Sequence, residues 1–86
     1  PNSPNALLSL AITFHISRDL EKEKPVILKL LKLTPENPQV LRLGVQVAGI
    51  LKDKKMTNQV LTLMEKYNKE ALPLAKNFID NAFKAN

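Results

Sequence analysis

Leu33-Thr34-Pro35-Glu36-Asn37-Pro38 decides the fold, because it holds two prolines three residues apart between two leucine-rich runs that each read as helix. Pro35 has no N–H to continue the preceding helix and pushes Thr34 out of the α region. Asn37 can cap a new helix, and Pro38 suits a first helical position, where the missing N–H is no loss. One helix is therefore expected to stop near Leu33 and another to start at Pro38, with the stretch between them a tight connector.

Outward from this connector the same pattern appears on both sides. Before it, Leu7, Leu10, Ala11, Phe14 and the run Ile16–Leu20 follow helical spacing from Asn5 to about Arg18, with Asn2 and Ser3 as cap-type residues. Asp19 and the charged run Glu21-Lys22-Glu23-Lys24 interrupt that pattern and read as a solvated turn. Pro25 then opens a second helix that ends at Thr34, with Val26, Ile27, Leu30, Leu31 and Leu33 on its apolar face. After the connector, Val40, Leu41, Gly44, Val45, Ala48 and Leu51 line a third helix ending near Lys52–Lys55. Thr57 is the expected cap of a fourth, whose face is Val60, Leu61, Met64 and Tyr67. A fifth runs from Glu70 or Leu72 to about Lys84, with Leu74, Phe78, Ile79 and Ala82 on one side and Pro73 in its first turns.

The halves are related by a fixed offset. Pro4 and Pro38, Leu7 and Leu41, Ile16 and Ile50, Asp19 and Asp53, Val26 and Val60, Lys32 and Lys66 are each 34 residues apart. A repeat of that length with two helices per unit points to an αα-hairpin solenoid in which each hairpin buries its apolar face on the next. The expected fold is all-α, an αα-hairpin repeat superhelix of about five antiparallel helices in one domain. Repeat one is 4–37, repeat two 38–71, and a capping helix occupies 72–85.

Composition bounds the rest. The chain of 86 residues is 44% hydrophobic and 24% charged, the balance of a single folded domain with an aliphatic core. It has no cysteine, which excludes disulfides and thiolate metal sites but fits cytoplasm and periplasm alike. No apolar run is long enough to insert in a membrane. A start at Pro1 rather than Met is expected of a fragment or a processed product. The net charge of +5 comes mainly from eleven lysines set against Arg18 and Arg42. Dispersed lysine with few aromatics argues against nucleic-acid recognition, which favours arginine and stacking rings.

With these residues in view, the chain resembles the tetratricopeptide repeat family, whose 34-residue helix-turn-helix ends in a connector like Leu33-Thr34-Pro35-Glu36-Asn37. Asp19 and Asp53 fall in its inter-helix turn, Leu7 and Leu41 at its early large residue, Ala11 at its small packing residue and Phe14 at its later aromatic. The departures are Gly44 for a leucine, Ala48 for an aromatic, Glu23 and Thr57 for a small alanine, and Lys69 for the connector proline. The resemblance implies a concave groove lined by the first helix of each unit. Asn5, Leu8, Ile12 and His15 would line it from the first, Gln39, Arg42, Gln46 and Gly49 from the second, and Lys76 and Asp80 from the last helix. A subfamily holds chaperone tails by a carboxylate clamp; the matching positions here are Leu8, Ile12, Leu43, Pro73 and Asn77, so that clamp is absent.

These features imply a non-enzymatic protein–protein interaction module, a scaffold or adaptor segment, that takes a peptide or helix in its groove. Two alternatives compete: an RNA-binding repeat of the pentatricopeptide kind, and a purely structural segment that self-associates as a homodimer or packs on further repeats. No phosphate loop or nucleophile–base pair occurs, and His15, the only histidine, stands without the ligand set of a zinc site, so neither catalysis nor a cofactor is expected. His15 reads as a groove-lining or partly buried side chain, and Tyr67 as core at the end of the fourth helix, the counterpart of Leu33.

Overall fold

The computed structural model describes residues 3–85; Pro1, Asn2 and Asn86, and with Asn2 one expected cap, lie outside them. Those residues form an all-α fold of five α-helices with no strand. α1 spans Pro4–Ile16, α2 Leu20–Leu33, α3 Pro38–Ile50, α4 Lys54–Tyr67 and α5 Leu72–Lys84, and a single 3-10 turn, Lys69–Ala71, leads into α5. None of the helices is long and apolar enough to cross a membrane.

The element boundaries recur at the same 34-residue offset as the sequence, and so do the bonds that set them. α1 ends in a turn where the Arg18 N–H donates to the His15 carbonyl and the Asp19 N–H to the Phe14 carbonyl. α3 repeats both bonds, from Lys52 to Gly49 and from Asp53 to Ala48. This Schellman arrangement needs one residue in the left-handed region, supplied by Arg18 at φ 63° and Lys52 at φ 54°. The next residue then caps the following helix: the Asp19 carboxylate accepts from the Lys22 N–H and the Asp53 carboxylate from the Met56 N–H.

The inter-helix connector recurs too. The Asn37 N–H donates to the Thr34 carbonyl at 3.1 Å, and the Ala71 N–H donates to the Asn68 carbonyl at the same distance. With Lys69 in place of Pro35 the second connector keeps this bond and forms the 3-10 turn, so the proline is not required for it.

Several expected boundaries are corrected. α2 begins at Leu20 rather than Pro25, because the Asp19 cap and the Schellman turn start the helix before the proline is reached. Pro25 is exposed inside the helix, where water can solvate the carbonyl left without its N–H. α4 is capped by Asp53, and Thr57 is buried one turn inside it. α3 ends at Ile50, before the lysine run. Ser3 holds the N-cap position of α1 with no side-chain capping bond. Tyr67 and Leu33 match each other as predicted, but both are substantially exposed rather than core.

α3 is the central element, with eight of its thirteen residues buried. α2, α4 and α5 all pack on it. Ile27 and Leu30 from α2, Val40 and Val47 from α3, and Met56 and Val60 from α4 form the fully enclosed middle. Gly44 brings three helices together: a Cβ there would lie 3.0 Å from a Val60 methyl and 3.5 Å from a methyl of Ile27. This is why a glycine replaces the larger side chain at that position.

Candidate functional site

α3 and α5 touch closely at one place. A Cβ on Gly49 would stand 2.9 Å from the Phe78 ring and 3.2 Å from both Ala82 and Ile79, so the absence of a side chain at 49 lets α5 lie on α3. Along the stretch of α3 that precedes this contact, a cavity of about 640 Å³ opens between the helices. α3 contributes Gln39, Arg42, Val45 and Gln46 to its wall, and the end of α4 contributes Met64 and Asn68. α5 supplies Leu74, Ala75 and Phe78, of which Leu74 is 77% exposed.

The wall is an apolar floor ringed by three amides and one charge. Arg42 is the only charged residue lining it among the described residues, and it is exposed. Among the described residues it belongs to none of the ion pairs. A guanidinium and amides over aliphatic and aromatic carbon can hold the mixed surface of a peptide or a helix.

Of the residues anticipated for the groove, Gln39, Arg42 and Gln46 are therefore gathered at one cavity. Asn5, Leu8, Ile12 and His15 are on α1 and do not line it. Asn5 is exposed, while Leu8 and Ile12 are half-buried against the core. Gly49 is buried under α5 rather than open. Lys76 and Asp80 are exposed on α5 but do not line the cavity, because α5 turns Ala75, Phe78 and Ile79 inward. Met64, Asn68 and Leu74 were not anticipated. For Leu74 the signal lay in the apolar pattern of α5, where Leu74, Ala75, Phe78 and Ile79 span more of the circumference than one packed stripe needs. Met64 is expected only as part of the apolar face of the fourth helix, and nothing local marks Asn68.

A second constellation is built on His15, which is partly buried, as one of its two readings had it. Its Nδ1 lies 3.1 Å from both carboxylate oxygens of Glu23, a residue with no solvent exposure. The segment Glu21–Lys24, read as a solvated turn, is helical, and it places Glu23 inside. Burial raises the Glu23 pKa, and the His15 hydrogen bond and charge pull it back only in part. In the second unit the pair is gone: Gly49 replaces His15, Thr57 replaces Glu23, and the Thr57 hydroxyl is buried without a hydrogen-bond partner. The Phe78 ring takes the space that a side chain at 49 would use.

An ion pair ties the hairpins together, with Lys24 Nζ on α2 lying 2.5 Å from a carboxylate oxygen of Asp53. Lys24 and the Met56 N–H together hold the Asp53 pKa below its ordinary value. No group of three or more metal-ligating side chains comes together among the described residues. No family model, no curated protein and no solved structure matches this chain.

Proposed function

We propose that this chain is a non-enzymatic protein-interaction module of tetratricopeptide-like construction, which holds a short peptide or helix of a partner in the cavity between α3, α4 and α5. One observation carries this reading: a cavity of about 640 Å³ in which Arg42, Gln39, Gln46 and Asn68 converge over apolar side chains. The 34-residue recurrence of caps and connectors supports a division into repeat one at 4–37, repeat two at 38–71 and a capping helix at 72–85. The dispersed lysines favour a protein partner over RNA.

The test is selection of short peptides from a display library on the intact chain, followed by titration against the double variant Arg42→Glu, Gln46→Ala. Both residues are outside the enclosed core, so the variant should keep its unfolding midpoint. Affinity should fall about tenfold or more, as expected for losing a charge-assisted hydrogen bond and facing a like charge. Failure to enrich any peptide, or equal binding by the variant, would remove the cavity as the recognition site.

A further inference from the structure

The two ends of the helical stack are built differently. α5 is amphipathic, with Ala75 and Ile79 inward and Lys76, Asn77, Asp80 and Lys84 exposed, as befits a helix facing water. α1 has no such division. From Pro4 to Ile16 its only ionisable side chain is His15, and only Leu7 and Ala11 are buried. Its exposed positions Ala6, Ser9, Leu10, Thr13 and Ile16 lie at the spacing of a single helix face. Leu10 is 43% and Ile16 76% exposed.

The molecule itself shows how such a face is covered. Thirty-four residues on, Ala6, Ser9, Leu10 and Thr13 correspond to Val40, Leu43, Gly44 and Val47, all four of them buried in α3. α3 has a neighbour on each side there: α4 from its own hairpin, and α2 from the hairpin before it. α1 has the equivalent of the first, its hairpin partner α2, and lacks the equivalent of the second. Of the two hydroxyls on the open face, that of Thr13 donates to the Ser9 carbonyl and is turned back onto the helix backbone.

We infer that the Ala6–Leu10–Thr13 face of α1 is a docking surface for the second helix of another αα-hairpin, one that carries an aliphatic stripe at the spacing of Ile27, Leu30 and Leu31 of α2. It continues the α2–α3 interface one repeat earlier, with the same register and the same kind of neighbour. This surface is separate from the peptide cavity and does not depend on it. A second copy is a poorer fit: its α2 stripe is already spent on α3, and on the exposed side of its α5 the one large apolar residue, Leu74, stands among Lys76, Asn77, Asp80, Asn81 and Lys84 and offers no aliphatic stripe.

The experiment extends the chain by a copy of residues 4–37 joined directly to Pro4, so that the added second helix meets α1 in the 34-residue frame. Amide hydrogen exchange across α1 should slow about tenfold or more, and the extended chain should unfold in one transition with a raised midpoint. Leu10→Glu in the original segment should cancel both effects and leave the midpoint of the unextended chain unchanged, since Leu10 is exposed there. Unchanged exchange in α1, or separate melting of the added hairpin, would overturn the inference. So would a concentration-dependent dimer of the unextended chain that protects the α1 face, because a second copy would then be the occupant.

Discussion

At the scale of single residues, the positions that matter most are the polar side chains inside the core, and both occupy the same place in the 34-residue frame. Glu23 is buried against His15, whereas the buried Thr57 hydroxyl has no hydrogen-bond partner among the described residues. A buried hydroxyl without a partner carries its desolvation cost uncompensated. Thr57→Val, of nearly the same shape, should therefore raise stability by about 1–2 kcal/mol in denaturant titration. A lower midpoint would mean that the hydroxyl has a partner in solution.

Glu23 predicts a pH dependence whose sign follows from its raised pKa. A carboxyl that holds its proton more tightly when folded contributes stability at pH below its unfolded value, and loses it as pH rises through the folded value. Glu23→Gln keeps a hydrogen-bonding partner for His15 and cannot ionise. Its stability relative to the parent should grow as pH rises from about 4.5 toward neutrality. Asp53 acts in the opposite sense: with its pKa lowered, its contribution is present above its unfolded value and fades as pH falls through the folded one. A difference between Glu23→Gln and parent that does not change with pH would contradict the burial argument.

At the scale of elements, the inter-helix turns are the strained parts. Arg18 and Lys52 adopt left-handed backbone angles that glycine takes without penalty. Arg18→Gly and Lys52→Gly should each stabilise the fold by about 0.5–1 kcal/mol, the left-handed relief reduced by the greater freedom of glycine in the unfolded chain. Thermal unfolding of each variant measures this, and destabilisation by both would show that the side chains contribute more than the backbone conformation costs.

At the scale of the whole molecule, one contact decides the shape of the cavity. α5 rests on α3 through Gly49, and adding a methyl group there puts carbon 2.9 Å from the Phe78 ring and 3.2 Å from Ala82 on the facing helix. Gly49→Ala should destabilise the fold by about 1–3 kcal/mol, as overpacking does, and loosen α5 selectively. Hydrogen exchange should then show α5 opening before α2, α3 and α4. The equivalent site in the first unit carries His15, so α1 and α3 are not brought together in the way that α3 and α5 are.

The helices and their order were legible in the sequence because prolines at first positions, capping aspartates and leucine spacing act locally, within a few bonds of the residue that carries them. The 34-residue repeat was legible for the same reason. Burial was not. Whether Glu23 is a solvated turn residue or a core residue depends on where α1 lays His15, and whether Leu10, Ile16 and Leu74 are covered depends on which neighbouring helices exist. Gln39, Arg42 and Gln46, expected side by side from the helical spacing of α3, do line one cavity together, because that spacing is a local property. Lys76 and Asp80 lie away from that cavity because α5 turns Phe78 and Ile79 onto Gly49 of α3, a contact between helices that no local pattern records. Local chemistry determined the elements, and the packing of one helix on another decided which of their faces are inside.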